Sequence, residues 1–167
     1  IRDRYIDDRW LYEQEAILKD SKKINLSSIK PKIINSGKDI TIVGCGHSLM
    51  LAKQSNKTLL ANGIKAEIID LRILNPFKPE TIVKSVLKTR RLLVVDPGTR
   101  TAGFAAEVIS SVVEKLPIKT LLAQPVRITL PDAPAPTSNN LEKNYYFNSN
   151  TIIANVFKIL KKKYDKS

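Results

Sequence analysis

From Asp39 onward the chain alternates short apolar runs with longer segments in which apolar residues recur every three or four positions. Residues 39–43 (DITIV) form a β-rich run closed by Gly44 and Gly46. Between His47 and Asn62, residues Leu49, Leu51, Ala52, Leu59 and Leu60 mark one side of a helix that stops at Asn62-Gly63, a glycine cap. Residues 65–70 (KAEIID) predict the next strand, and Asn75-Pro76 breaks the chain. Residues 78–89 predict a helix with Pro79 in its first turn and Ile82, Val83, Val86 and Leu87 on one face. Residues 91–96 (RLLVVD) are the most apolar strand, ended by Pro97-Gly98. Residues 101–116 predict a helix with Phe104, Val108, Ile109, Val112 and Val113 inward. Two short β segments flank Pro125 within 120–130, prolines extend 132–136, and 151–163 form a last amphipathic helix.

Strands alternating with helices in this way imply right-handed crossovers and a mainly parallel sheet covered on both faces. The fold class is therefore α/β, with three layers in the order α/β/α. Ile42, Ile68, Leu92, Val94 and Val108 are the expected core. Ahead of this pattern the chain is different. Residues 7–12 (DDRWLY) read as the end of one structured unit, and residues 19–36 are polar with scattered Ile and Leu but no sustained period. The expected organisation is the end of a preceding domain plus linker over 1–36, one domain over 37–163, and a basic tail at 164–167. The chain reads as a fragment of something larger.

Composition narrows the possibilities. Charged residues at 26% and hydrophobic residues at 43% are ordinary for a globular domain and exclude wholesale disorder. One cysteine, Cys45, leaves no internal disulfide, and a single histidine leaves zinc without ligands. The cytoplasm or an organelle matrix is the expected location. No apolar run approaches the roughly 20 residues that span a bilayer, so no membrane partner is expected. The 28 Lys and Arg exceed the 16 Asp and Glu, giving +12. That excess is spread over several elements and then concentrated at the end, where 158–167 carries Lys158, Lys161, Lys162, Lys163 and Lys166 against Asp165. Nucleic-acid binding calls for a basic stripe with interleaved aromatics, and at 6% the aromatics are few and mostly near the two ends. A solvated basic surface is the better reading, with no nucleic-acid partner.

Candidate chemistry is sparse. Gly44-Cys45-Gly46-His47-Ser48 stands where a dinucleotide fingerprint would stand, but Leu49 fills its third glycine position. A tight strand-to-helix turn explains the glycines. Cys45 and His47 have the residue types of a nucleophile and its base, without an identifiable orienting group. Asp70 and Arg72 lie at the carboxyl edge of the sheet, where open α/β folds place ligands, and form either a local ion pair or a contact with a partner subunit. In 98–104 (GTRTAGF), Thr101 can cap the following helix, Gly103 allows close backbone approach, and Glu107 lies one turn inside. No phosphate loop, metal cluster, carboxylate pair or triad is present in the sequence. No catalytic, cofactor-binding or metal-binding residue is assigned. Arg72, Arg100, Phe104, Glu107, Tyr145 and Tyr146 are interface candidates, aromatic and charge-assisted anchors on turns and a proline-rich stretch.

Residues 70–76 (DLRILNP), 85–96 (SVLKTRRLLVVD), 103–107 (GFAAE) and 125–132 (PVRITLPD), in that order, resemble the carboxyl-terminal domain of transketolase-like proteins. The resemblance is closest to β subunits of thiamine-diphosphate-dependent 2-oxo acid dehydrogenases, of the pyruvate or branched-chain (2-oxoisovalerate) type. Residues 134–138 (PAPTS) with 141–146 (LEKNYY) are similar to that group's closing segment, and 7–12 to the stretch leaving its pyrimidine-binding domain. The resemblance implies five strands, mostly parallel, with one antiparallel edge. It implies an oxidoreductase parent that assembles with an α subunit, a second β subunit and a dihydrolipoyl acyltransferase core. Thiamine diphosphate and magnesium would lie in other domains, leaving the fragment itself inactive. Two alternatives are the equivalent domain of a transketolase-type ketol transferase and a stand-alone binding module. The turn Pro97-Gly98-Thr99-Arg100 departs from the glutamate- and glycine-rich turn common in relatives, and Phe147 replaces the proline that commonly follows the tyrosine pair.

Overall fold

A computed structural model describes residues 28–163. Five strands form one sheet: β1 (Lys32–Asn35), β2 (Ile40–Gly44), β3 (Ala66–Asp70), β4 (Leu92–Thr99) and β5 (Val126–Leu130), in the order β1-β3-β2-β4-β5. Neighbours among β2, β3, β4 and β5 run parallel, while β1 pairs antiparallel with β3. The helices are α1 (His47–Ala61), α2 (Glu80–Thr89), α3 (Phe104–Val113), α4 (Asn139–Tyr145) and α5 (Ser149–Leu160). The three-layer α/β/α arrangement is as the pattern implied, and the five strands with a single antiparallel edge are as the resemblance implied.

The period-two rule explains the layers. Along β2, Ile40 and Ile42 face one way and pack with α1 and α5, including Leu59, Ile152 and Val156. Val43 faces the other way with Ile69, Leu92 and Val94, packing on Ile82 and Val86 of α2 and Val108 and Val112 of α3. Strands buried on both faces carry near-continuous apolar runs, which is why β2 and β4 were so legible. The five expected core residues are buried in these clusters. A polar seam fastens α2 to the sheet: the Thr41 hydroxyl shares hydrogen bonds with those of Ser85 (2.7 Å) and Thr89 (2.6 Å). Glu67, buried beside it, accepts from Lys88 and from the Gly37 amide. Burial alone would raise the Glu67 carboxyl, but the bonds from Lys88, Ser85 and Gly37 together leave it below the usual carboxylate range.

Three expectations change. Lys32–Asn35, inside the expected linker, is a strand, so the folded unit begins before residue 37. It is short, at the sheet edge and half exposed, so it lacks the alternation that marks a strand. The 120–130 stretch holds one strand rather than two, because residues 117–125 are spent on turns bonded to Arg90. The helix expected over 101–116 is only Phe104–Val113, and Leu60, Leu87 and Val113 point to solvent rather than inward. Residues 7–12, the first part of the expected linker and the tail at 164–167 lie outside the described residues.

Candidate functional site

The register brings the carboxyl ends of three strands together, with Gly44 opposite both Asp70 and Val95. Cys45, Asp70 and Asp96 therefore meet at one edge of the sheet. Burial pushes the Cys45 thiol up to about 11, and the Asp96 and Asp70 carboxylates reinforce the shift. That is the opposite of what activates a nucleophile. Burial likewise lowers the pKa of His47, favouring its neutral form. Burial raises the Asp70 carboxyl, and the Arg72 amide bond and nearby cations offset this only in part.

Asp70 accepts a hydrogen bond from the backbone amide of Arg72 at 3.0 Å. This closes a tight turn in which Arg72 itself adopts a left-handed conformation, φ 63°, with its side chain exposed. Arg72 is thus held at the backbone, and its guanidinium stands at the surface.

The loop after β4 is clamped from three sides. Asp96, at the end of a buried run, accepts from the Gly98 amide (2.9 Å) and from the Ala105 amide in the first turn of α3 (2.8 Å). Asp132, just past β5, accepts from the amide (2.9 Å) and hydroxyl (2.6 Å) of Thr101. Those bonds, the hydroxyl's foremost, hold its carboxyl below the usual range. Arg127 on β5 donates from Nη1 to the carbonyl of Arg100 (3.0 Å). Gly103 is forced by sterics, since a Cβ there would lie 1.9 Å from the Thr99 carbonyl oxygen. Thr101 does not cap α3 as expected. Its hydroxyl is committed to Asp132, and Asp96 holds the helix start instead.

Arg100 lies exposed at the surface of this rigid loop. Phe104 is half-buried, edge-on to Phe77 with ring centroids 5.4 Å apart. Glu107, exposed, accepts from Ser111 at 2.8 Å. The Asp132–Thr101 bonds tie the proline-rich strap to the same loop. Within that strap the Tyr145 hydroxyl donates to the Ala133 carbonyl (2.7 Å), and Tyr146 stacks edge-on against Tyr145 at 5.1 Å. The helix α4, unforeseen in the sequence, buries no residue and leaves Leu141 60% exposed. Arg100, Phe104 and Glu107 thus share one loop-helix, joined to Tyr145 and Tyr146 through the strap, while Arg72 stands on its own turn at the end of β3.

Sequence reasoning missed the clamps Asp96, Arg127 and Asp132. An Asp two residues before a glycine, as Asp96 stands to Gly98, is the signal of a side-chain-closed turn. Arg127 and Asp132 lie in the 125–132 stretch that carries the resemblance, but nothing in it pointed to their partners, which are 27 and 31 residues away. Among the described residues no group of three or more His, Cys, Asp or Glu could hold a metal ion.

Comparison with known proteins places these features in context. Residues 30–152 match the family described as Transketolase, C-terminal domain. The β subunit of the pyruvate dehydrogenase E1 component of Cyanidium caldarium is 31% identical over 159 residues, 95% of this chain and 48% of that protein. The mitochondrial counterpart from Dictyostelium discoideum is 35% identical over 141 residues, 83% and 39% respectively. The 2-oxoisovalerate dehydrogenase subunit beta 2 of Arabidopsis thaliana is 36% identical over 113 residues, 66% and 31%. The chain thus spans less than half the length of these relatives. Among solved structures, a split-gene transketolase described as an inactive beta4 tetramer superposes with a TM-score of 0.68 at 27% identity, covering 81% of this chain and 43% of that one.

Proposed function

Because the chain belongs to the transketolase C-terminal domain family, we propose that it is the assembly and partner-docking domain of a 2-oxo acid dehydrogenase β subunit. The observation that carries this reading is the run of 31–41% identity to pyruvate dehydrogenase β subunits. In the longest of these alignments the match covers 95% of the chain, loops and strap included.

In this reading the parent works with an α subunit and a second β subunit. Its holoenzyme oxidatively decarboxylates a 2-oxo acid with thiamine diphosphate and magnesium and passes the acyl group to a lipoyl group on a dihydrolipoyl acyltransferase core. The described residues do not fit that cofactor. At the sheet edge where α/β folds bind ligands, the α1 amino terminus is flanked by Asp70 and Asp96, which repel a diphosphate. The Cys45 thiol stays protonated there. No chemical step is assigned to this domain.

What the domain supplies is surface. The loop 98–103 is fixed by Asp96, Asp132 and Arg127, so Arg100 and Phe104 are presented with little ordering cost on contact. Tyr145 and Tyr146, locked to each other and to Ala133, extend the same surface. A second β subunit is the occupant this surface suits, with Arg72, Arg100 and Glu107 as charged contacts. The parent resides in the cytoplasm or an organelle matrix.

The test is reconstitution of the intact β subunit with an α subunit, assayed for transfer of an acyl group to a lipoylated acceptor. Pyruvate and a branched-chain 2-oxo acid are compared as substrates. Acylation with either supports the reading. A second reading, a transketolase-type ketol transferase, is favoured by the superposition on the split-gene transketolase. Ketol transfer between sugar phosphates without lipoyl acylation would establish it instead.

A further inference from the structure

The net positive charge is not spread evenly over the fold. In a parallel α/β unit each crossover helix returns from the carboxyl to the amino edge of the sheet, so α1, α2 and α3 all end at the amino edge. The helix α5 follows the strap beyond β5 and packs in the same core cluster as α1. At the strand starts, the Lys38 amide donates to the Lys65 carbonyl and the Lys65 amide to Asp39. Lys115 follows α3, Lys119 sits in the turn that Arg90 ties down, and Lys161 and Lys162 follow α5. These six lysines are all exposed. Among the described residues the acids beside them are few: Asp39 is committed to the Lys65 amide, Glu67 is buried on Lys88, and Glu114 accepts from Ser110.

The same edge gathers exposed apolar side chains. Leu60 ends α1, Leu87 lies in the last turn of α2, and Val113 closes α3. Ile118, 93% exposed, and Leu122, 51% exposed, project from the turns between α3 and β5. Leu122 is held there by the hydrogen bond its backbone amide donates to the Arg90 carbonyl (2.9 Å).

Complementing helix dipoles accounts for Lys115, Lys161 and Lys162. It does not account for Lys38, Lys65 and Lys119, which follow no helix carboxyl terminus closely, nor for an isoleucine raised almost wholly into water. We infer that the amino edge of the sheet is a peripheral contact surface for an anionic lipid bilayer, with lysines on the headgroups and Ile118 and Leu122 inserted between them. Arg90 and Arg91 stand at this edge too, but their guanidinium groups are engaged by the carbonyls of Thr120, Lys119 and Asp39. Protein interfaces are enriched in arginine and aromatics and depleted in lysine, whereas the uncommitted cations named here are lysines and none of the named residues is aromatic. Anionic lipid rewards each lysine near its surface, and a protruding aliphatic residue suits a soft acyl boundary. The expectation of no membrane partner rested on the lack of a spanning segment, and a peripheral contact requires none. The surface lies at the opposite edge of the sheet from Arg100 and Phe104.

Co-sedimentation of the full chain with vesicles tests the inference. The protein should pellet with phosphatidylcholine vesicles containing phosphatidylglycerol, stay in solution with phosphatidylcholine alone, and be released by high salt. Lys115→Glu with Lys119→Glu should weaken partitioning by more than about tenfold. Ile118→Ser should weaken it by roughly tenfold without changing the melting temperature, since so exposed a side chain contributes little to the core. Lys53→Glu, on the carboxyl half of the molecule, should leave binding unchanged. Failure to bind the anionic vesicles, or binding indifferent to the edge substitutions, overturns the inference. Capture of polyglutamate through the same residues with no vesicle binding also overturns it and assigns the edge to an acidic protein.

Discussion

Asp96 does more for this surface than any residue that would touch a partner. Its two oxygens satisfy the amides of Gly98 and Ala105, and Ala105 is fully buried. Asp96→Ala should lower the unfolding free energy by about 2–4 kcal/mol, the cost of two amides left unsatisfied in a poorly hydrated place. Asp96→Asn should restore part of that loss. Urea denaturation compares the three proteins, and an alanine variant as stable as the parent would refute the clamp. Cys45 provides a second check. With its thiol pKa raised to about 11, it should react with iodoacetamide far more slowly near pH 8 than in urea. The sign of the linkage is fixed: from the ordinary value of about 9 up to about 11 the unfolded chain ionises first, so stability falls as pH rises through that window. A Cys45→Ser variant should lose this component of the alkaline decline. The Gly98 half of the clamp is a local turn, whereas the bond to Ala105 and the surroundings of Cys45 depend on how the fold brings the strand ends together. The residue types at the site were legible, but the bonds that decide their roles were not.

At the level of elements, the parallel core was legible because strands buried on both faces announce themselves as apolar runs. Val94 sits in the middle of β4, paired to Val43 on one side and Arg127 on the other, and is buried. Val94→Asp should unfold the domain, because an uncompensated charge there costs several kcal/mol against the roughly 5–15 that hold a domain together. A cooperative melt within a few degrees of the parent would contradict the topology. The elements the sequence concealed are those whose stability comes from elsewhere. The strand β1 has four residues with Ile33 partly exposed, and it exists through its pairing with Ile69 and Asp70. The helix α4 buries nothing, and no apolar period could have marked it. Its tyrosines take their place through each other and Ala133.

For the whole molecule, the proposed parent places assembly and chemistry in different domains. The resemblance was legible in the order of motifs along the chain, whereas the surface that would serve assembly needed the fold to bring residues 98–107 and 132–146 together. The chain by itself should not bind thiamine diphosphate with magnesium, and calorimetric titration should show no saturable heat. Saturable binding near micromolar affinity would move cofactor chemistry into this domain. The proposed contact between β subunits is tested most directly in the assembled enzyme. Arg100→Ala, Phe104→Ala and Tyr145→Ala, introduced into the intact β subunit and assembled with its α subunit, should be followed by analytical ultracentrifugation alongside lipoyl acylation. The substitutions should shift the assembly toward smaller species at low concentration, while activity per assembled enzyme stays at the parental level. Assemblies that hold together as tightly as the parent but lose turnover would contradict a contact between β subunits at this surface.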